Sequence, residues 1–145
     1  MIGLLQRVTS ASVSVDGVPV GEIGPGLLVL VAVHREDSEK DIGRLAERIL
    51  GYRVFPDTTG RMNHSLQDES GDLLLVPQFT LAADTRKGMR ASFTRAAPPD
   101  KGKDYFDRLV ATCRADLDKV ESGEFGANMQ VRLVNDGPVT FWLES

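Results

Sequence analysis

Only one cysteine, Cys113, and two histidines, His34 and His64, occur among the 145 residues. A single thiol excludes an internal disulfide and any cysteine-rich zinc site. Neither histidine has a carboxylate or cysteine at ligand spacing, so no metal is expected, and no cofactor is implied. Gly-rich phosphate loops, Ser-centred nucleophile elbows and paired-histidine motifs are all absent, which removes the usual hydrolase machinery. No apolar run approaches the length that spans a bilayer. The opening stretch MIGLLQRVTSASVSV lacks the basic and apolar regions of a signal peptide, so a cytoplasmic location is the expectation. Positive charge is also scarce: Lys and Arg number 17 against 21 Asp and Glu, a formal charge of −4. That balance argues against non-specific coating of nucleic acid and leaves room only for local phosphate contacts. With no repeat or low-complexity tract, residues 1–145 read as one domain with one substantial core.

Apolar patterning supplies the elements. Strands are expected at 3–8 and 11–15, then a hairpin at Asp16-Gly17 returning through 18–23. The run LLVLVAV at 27–33 is apolar throughout, as in a strand covered on both faces. Ser38 caps a helix, with Asp41 placed to reach back as in a capping box, and Ile42, Leu45, Ala46 and Ile49 form its inner face before Gly51 ends it. A short strand is expected at 52–55 and an irregular connection at 61–71. Pro98-Pro99 opens a second helix, with Tyr105, Phe106, Leu109, Val110, Cys113, Leu117 and Val120 as its stripe. Cys113 in that stripe reads as a core residue rather than a nucleophile. After a loop at 123–128, strands are expected at 129–134 and 139–143. The fold class is α/β, a mixed and mostly antiparallel sheet packed with two main helices.

The stretch DLLLVPQFTLAADTRKGMRASF at 72–93 stands out. A buried strand, Leu73 to Val76, is interrupted by Pro77 and followed by Gln78, Phe79 and Thr80. A loop then presents Arg86, Lys87, Arg90 and Arg95 against the single acid Asp84. A strand ending in polar groups beside a basic loop suits an anionic substrate, although a core strand with a solvated loop fits the same residues.

PQFTL at 77–81 followed by ADTRKGMRASF, and NDGPVTFWLE at 135–144, resemble the two signature motifs of the D-aminoacyl-tRNA deacylases. QRV at 6–8, the DG hairpin, GLLVL at 26–30, LGYRVF at 50–55 and FGANMQV at 125–131 extend the resemblance over essentially the whole chain. It implies an enzyme that hydrolyses the ester between a D-amino acid and the terminal ribose of tRNA. It also implies a homodimer in which Gly137 and Pro138, joined by a cis bond, project into the partner's active site. Parallel carbonyls there would hold the substrate ammonium, so that an L side chain meets backbone while glycyl-tRNA slips through. Without the resemblance, an ordinary trans turn between two strands is the preferred reading of Gly137-Pro138.

Other roles come with the resemblance as well. Arg7 matches an arginine that braces the Gly-Pro segment, its alternative being an exposed edge charge. Phe125 and Met129 match positions lining the pocket for the terminal adenosine or aminoacyl group. Arg86, Lys87 and Arg90 would contact tRNA phosphates near the acceptor end. Thr80 invites a nucleophile reading, but no base is evident. The backbone N–H groups of Phe79 and Thr80 offer an oxyanion site instead, with Gln78 beside them. One departure stands out: Pro77 replaces the family's usual serine and offers neither a hydroxyl nor an N–H. A non-catalytic nucleic-acid-binding dimer and a small-molecule ester hydrolase remain as other readings.

Overall fold

The structure, a computed structural model, describes residues 1–145. Its sheet is built around one long strand, β1 (Ile2–Val15), which pairs antiparallel along one edge with β8 (Met129–Glu144). The other edge of β1 is shared by β3 (Gly26–Ala32) and β2 (Val18–Ile23). Asp16 and Gly17 turn the β1–β2 hairpin with φ of 50° and 79°, the left-handed pair that a two-residue turn requires. Beyond β3, β6 (Asp72–Pro77) and β7 (Val120–Ser122) pair parallel, so each needs a crossover connection. Helix α1 (Glu39–Gly51) lies within the first crossover and α3 (Pro99–Asp116) within the second.

Alternation along the buried strands divides the interior. Leu27, Val29, Val31, Leu73 and Leu75 join Ile42, Leu45 and Ile49 of α1 and Phe106, Leu109 and Cys113 of α3 in the main core. Leu28, Leu74 and Val76 face the other way, onto Val8, Val13 and Ile23. Both faces are therefore covered, which is why these strands read as unbroken apolar runs. The Asp41 carboxylate accepts from the Ser38 N–H at 2.7 Å and from its hydroxyl at 2.8 Å. These bonds, with Ser145, hold the Asp41 carboxyl down at about 2.

Several expectations need correction. The strands at 3–8 and 11–15 are one strand, as are those at 129–134 and 139–143. The segment expected at 52–55 is only β4 (Phe55–Pro56), paired with β5 (Met62–His64) in a separate small hairpin. Residues 61–71 are not irregular: besides β5 they hold a third helix, α2 (Leu66–Glu69), capped by Ser65, whose N–H donates to Asp68 at 2.8 Å. The expected count of two helices omits α2. Val120 belongs to β7, not to the α3 stripe, because α3 stops at Asp116. Cys113 is fully buried, and loss of water pushes its thiol up to about 12.

Candidate active site

Strand β6 delivers the first motif to the edge of a cavity. Past Pro77 the chain leaves the ladder: the Gln78 N–H still donates to Val31 O at 2.7 Å, and a 3-10 turn follows over Phe79–Ala82. Proline is tolerated here for a geometric reason. Gln78 points its N–H at β3, so position 77 faces the β7 side, where pairing has already ended at Ser122. Within the turn, Leu81 N–H is the first to bond back, to Gln78 O at 3.1 Å. The amides of Phe79 and Thr80 therefore have no acceptor inside their own turn.

The cavity measures about 450 Å³, and Pro77, Gln78 and Phe79 form one wall while Phe125, Ala127 and Met129 form another. That volume suits a small ligand, and the lining is mostly apolar. Gly123 lies behind the second wall, and the Met129 sulfur is fixed there by the Glu124 N–H at 3.3 Å. Gly102 of α3 stands against the Phe125 ring, 3.2 Å from where its own Cβ would be. Phe79 remains 58 % exposed at the rim, its ring 5.1 Å from that of Phe93.

Thr80 sits beyond the cavity lining, and its hydroxyl accepts a hydrogen bond from Gln78 Nε2. Neither histidine lines this cavity. His34 faces a separate cleft with Arg35 and Arg95, and burial lowers its pKa; His64 pairs with Glu69 at 2.7 Å. No group of three or more His, Cys, Asp or Glu is arranged to hold a metal ion. Among the basic residues, Arg86 is clasped by Asp84 in two contacts, of 2.6 and 2.9 Å, and holds that carboxyl far below its usual range. Lys87 and Arg90 are exposed and make no ion pair.

Arg7, Gly137 and Pro138 form a second group, outside this cavity of the same chain. The peptide bond between Gly137 and Pro138 is cis, and Gly137 has φ of 118°. Arg7 is no edge charge: β1 is paired on both sides, and its side chain is only 12 % exposed. Its Nη1 donates to Val54 O at 2.5 Å. Its Nε lies 3.0 Å from Asp136, an ion-pair contact without hydrogen-bond geometry. A Cβ on Gly137 would meet Arg7 Nη2 at 3.0 Å and Val139 Cγ2 at 2.8 Å.

Residues 4–144 match the family described as D-Tyr-tRNA(Tyr) deacylase. The chain belongs to that family. D-Tyr-tRNA(Tyr) deacylase family relatives include the D-aminoacyl-tRNA deacylase of Alkalilimnicola ehrlichii, 63 % identical over all of this chain and 97 % of that protein. Another is the D-aminoacyl-tRNA deacylase of Escherichia coli, 54 % identical over 99 % of each chain. A solved structure described as a c-Myc DNA unwinding element binding protein superposes with a TM-score of 0.95 at 37 % identity, covering 100 % of this chain and 99 % of that one. Of the residues lining this cavity, the sequence reading names Gln78, Phe79, Phe125 and Met129 as site residues but not Ala127 and Pro99. Ala127 lies within the FGANMQV segment and Pro99 opens α3, but neither position by itself points to a cavity.

Proposed function

We propose that this chain hydrolyses the ester joining a D-amino acid to the terminal ribose of tRNA, acts also on glycyl-tRNA, and spares L-aminoacyl-tRNA. The observation that carries the proposal is the cavity itself, in a chain of this family. Gln78 and Phe79 face Phe125 and Met129 across about 450 Å³, and the amide of Phe79, with that of Thr80 next along the chain, has no partner in its own turn. Those amides, of Phe79 and Thr80, supply the donors for the oxyanion that forms when water attacks the ester carbon. An aminoacyl ester is already activated, and the neighbouring ribose hydroxyl orients the water. No base contacts the Thr80 hydroxyl, which argues for amide catalysis over a covalent acyl-threonine.

Handedness is judged, in this reading, by the Gly137–Pro138 tip of one subunit entering the cavity of the other. Two observations support it. The tip is exposed and lies outside its own chain's cavity, so a substrate there must be met from another molecule. Strand β8 also leaves one long edge unpaired and exposes Leu133, Val134 and Trp142, which suits a second copy rather than solvent. Backbone carbonyls at the tip take the substrate ammonium and set the side chain's direction. Lys87 and Arg90 take phosphates near the acceptor end, with Arg86 contributing less because Asp84 already holds it.

Release of amino acid from matched D-tyrosyl-, L-tyrosyl- and glycyl-tRNA tests the proposal, with rapid release expected from the first and third only. A second reading, a nucleic-acid-binding protein without turnover, is favoured by the name of the 37 % identical structure. Binding without release of any of the three amino acids would establish it.

A further inference from the structure

We infer that Asn135 is a positioning residue for the Gly137–Pro138 tip, its side-chain amide closing the neck of the excursion that presents the tip. This rests on the reading above, in which the tip selects handedness. Between the pairs Gln6↔Thr140 and Val8↔Asn135, strand β1 supplies Arg7 alone, whereas β8 supplies Asp136, Gly137, Pro138 and Val139. An excursion of that kind leaves the ladder locally broken, so something other than regular pairing must hold it.

Asn135 supplies that hold. Its Nδ2 donates to Arg7 O on the facing strand at 2.9 Å and to Val139 O at the far end of the excursion at 3.0 Å. Its Oδ1 accepts from the Thr140 hydroxyl at 3.3 Å, which fixes the way the amide faces. Both amide hydrogens and the carbonyl are thus engaged, close to the most an asparagine can do. The two ends of the loop are tied to each other and to β1 by one half-buried side chain. Arg7 works from the other side: anchored on Val54 O, it packs its guanidinium where a Gly137 side chain would go. Aspartate has the same shape as asparagine but no donor, and it would turn one carboxylate oxygen toward two carbonyls.

The D/L rate ratio with D- and L-tyrosyl-tRNA, measured on the full chain for wild type, Gly137→Ala, Asn135→Ala and Asn135→Asp, tests this. Asn135→Ala should lower the ratio about tenfold, the scale set by losing two partly buried hydrogen bonds, and Asn135→Asp should lower it further. Gly137→Ala should lower it as well. If thermal denaturation shows Asn135→Ala to be unfolded, Thr140→Val is read instead; it removes the hydroxyl that orients the amide, which also accepts a long 3.5 Å bond from the exposed Gln6 Nε2, and must lower the ratio in the same direction. A ratio within about twofold of wild type for the neck variants, with Gly137→Ala strongly reduced, overturns the role of Asn135 and leaves that of the tip standing. An unchanged ratio in Gly137→Ala overturns the reading of the tip, and this inference with it. D and L rates that fall in equal proportion in the Asn135 variants indicate general loss of structure and likewise overturn the role.

Discussion

Replacing Gly123 by alanine probes the cavity wall with little other disturbance. The new Cβ would stand 2.7 Å from Met129 Sδ, 3.3 Å from Pro77 Cδ and 3.5 Å from Val76 Cγ1. The proline and valine belong to β6 and are held by its pairing with β3, so Met129 must yield. Its thioether is flexible, which places the cost near the lower end of overpacking, about 1 kcal/mol. The free space available to it is the cavity, and moving there breaks the bond from the Glu124 N–H. Substrate therefore loses room on one wall. KM for D-tyrosyl-tRNA should rise about five- to tenfold, the equivalent of ~1–1.4 kcal/mol, with kcat changing less. Adding Met129→Ala in the same chain should recover the lost thermal stability, because the clash is with that side chain. Steady-state deacylation and a thermal melt read both effects. A melt that falls while KM stays at the wild-type value would refute the placement of Met129 on the substrate's path.

Three further outcomes follow from the same geometry. Thr80→Ala should keep substantial single-turnover deacylation if, as proposed, the amides and not the hydroxyl hold the oxyanion; complete loss in a folded variant would return the threonine to the nucleophile's role. Raising salt should weaken substrate capture, and the double variant Lys87→Gln, Arg90→Gln should flatten that slope more than Arg86→Gln does, because Asp84 already neutralises Arg86. The Asp41 carboxyl, lowered from 3.8 to about 2, stabilises the fold fully above its unfolded value, and that contribution is lost as pH falls through about 2. Asp41→Asn should therefore make thermal stability less dependent on pH at the acid end, and an unchanged acid profile would contradict the cap.

Much of the fold was legible because local chemistry and tertiary structure agree. The LLVLVAV run, the Asp16-Gly17 turn, the Ser38 cap and Pro98-Pro99 each mark an element that the structure contains. The misses have physical causes. Helix α2 is too short for a helical period to register, although SLQD at 65–68 already spells its capping box. Val120 follows Leu117 at helical spacing by coincidence and is recruited by Leu73 into a parallel ladder. Strand β1 continues through Thr9 and Ser10 because β8 crosses the same stretch on its other edge, a pairing no local pattern announces. The site was legible only through motifs. Gln78 and Phe125 share a cavity because β6 and the loop before β8 end side by side, and spacing alone could not join them. Gly123 gave no signal and Asn135 only its place at the head of the second motif, since what each touches is set by the folded chain around it.

The account depends most on the active site being shared between two chains, and subunit mixing addresses that directly. Gly137→Ala spoils the tip, whereas Ala127→Trp fills the cavity it is proposed to enter. Each variant alone should be defective toward D-tyrosyl-tRNA. Unfolded together and refolded, they should regain D-specific hydrolysis, because a mixed dimer joins an intact tip to an intact cavity. Failure of the mixture to exceed either variant, with mixed dimers demonstrably formed, would contradict the account.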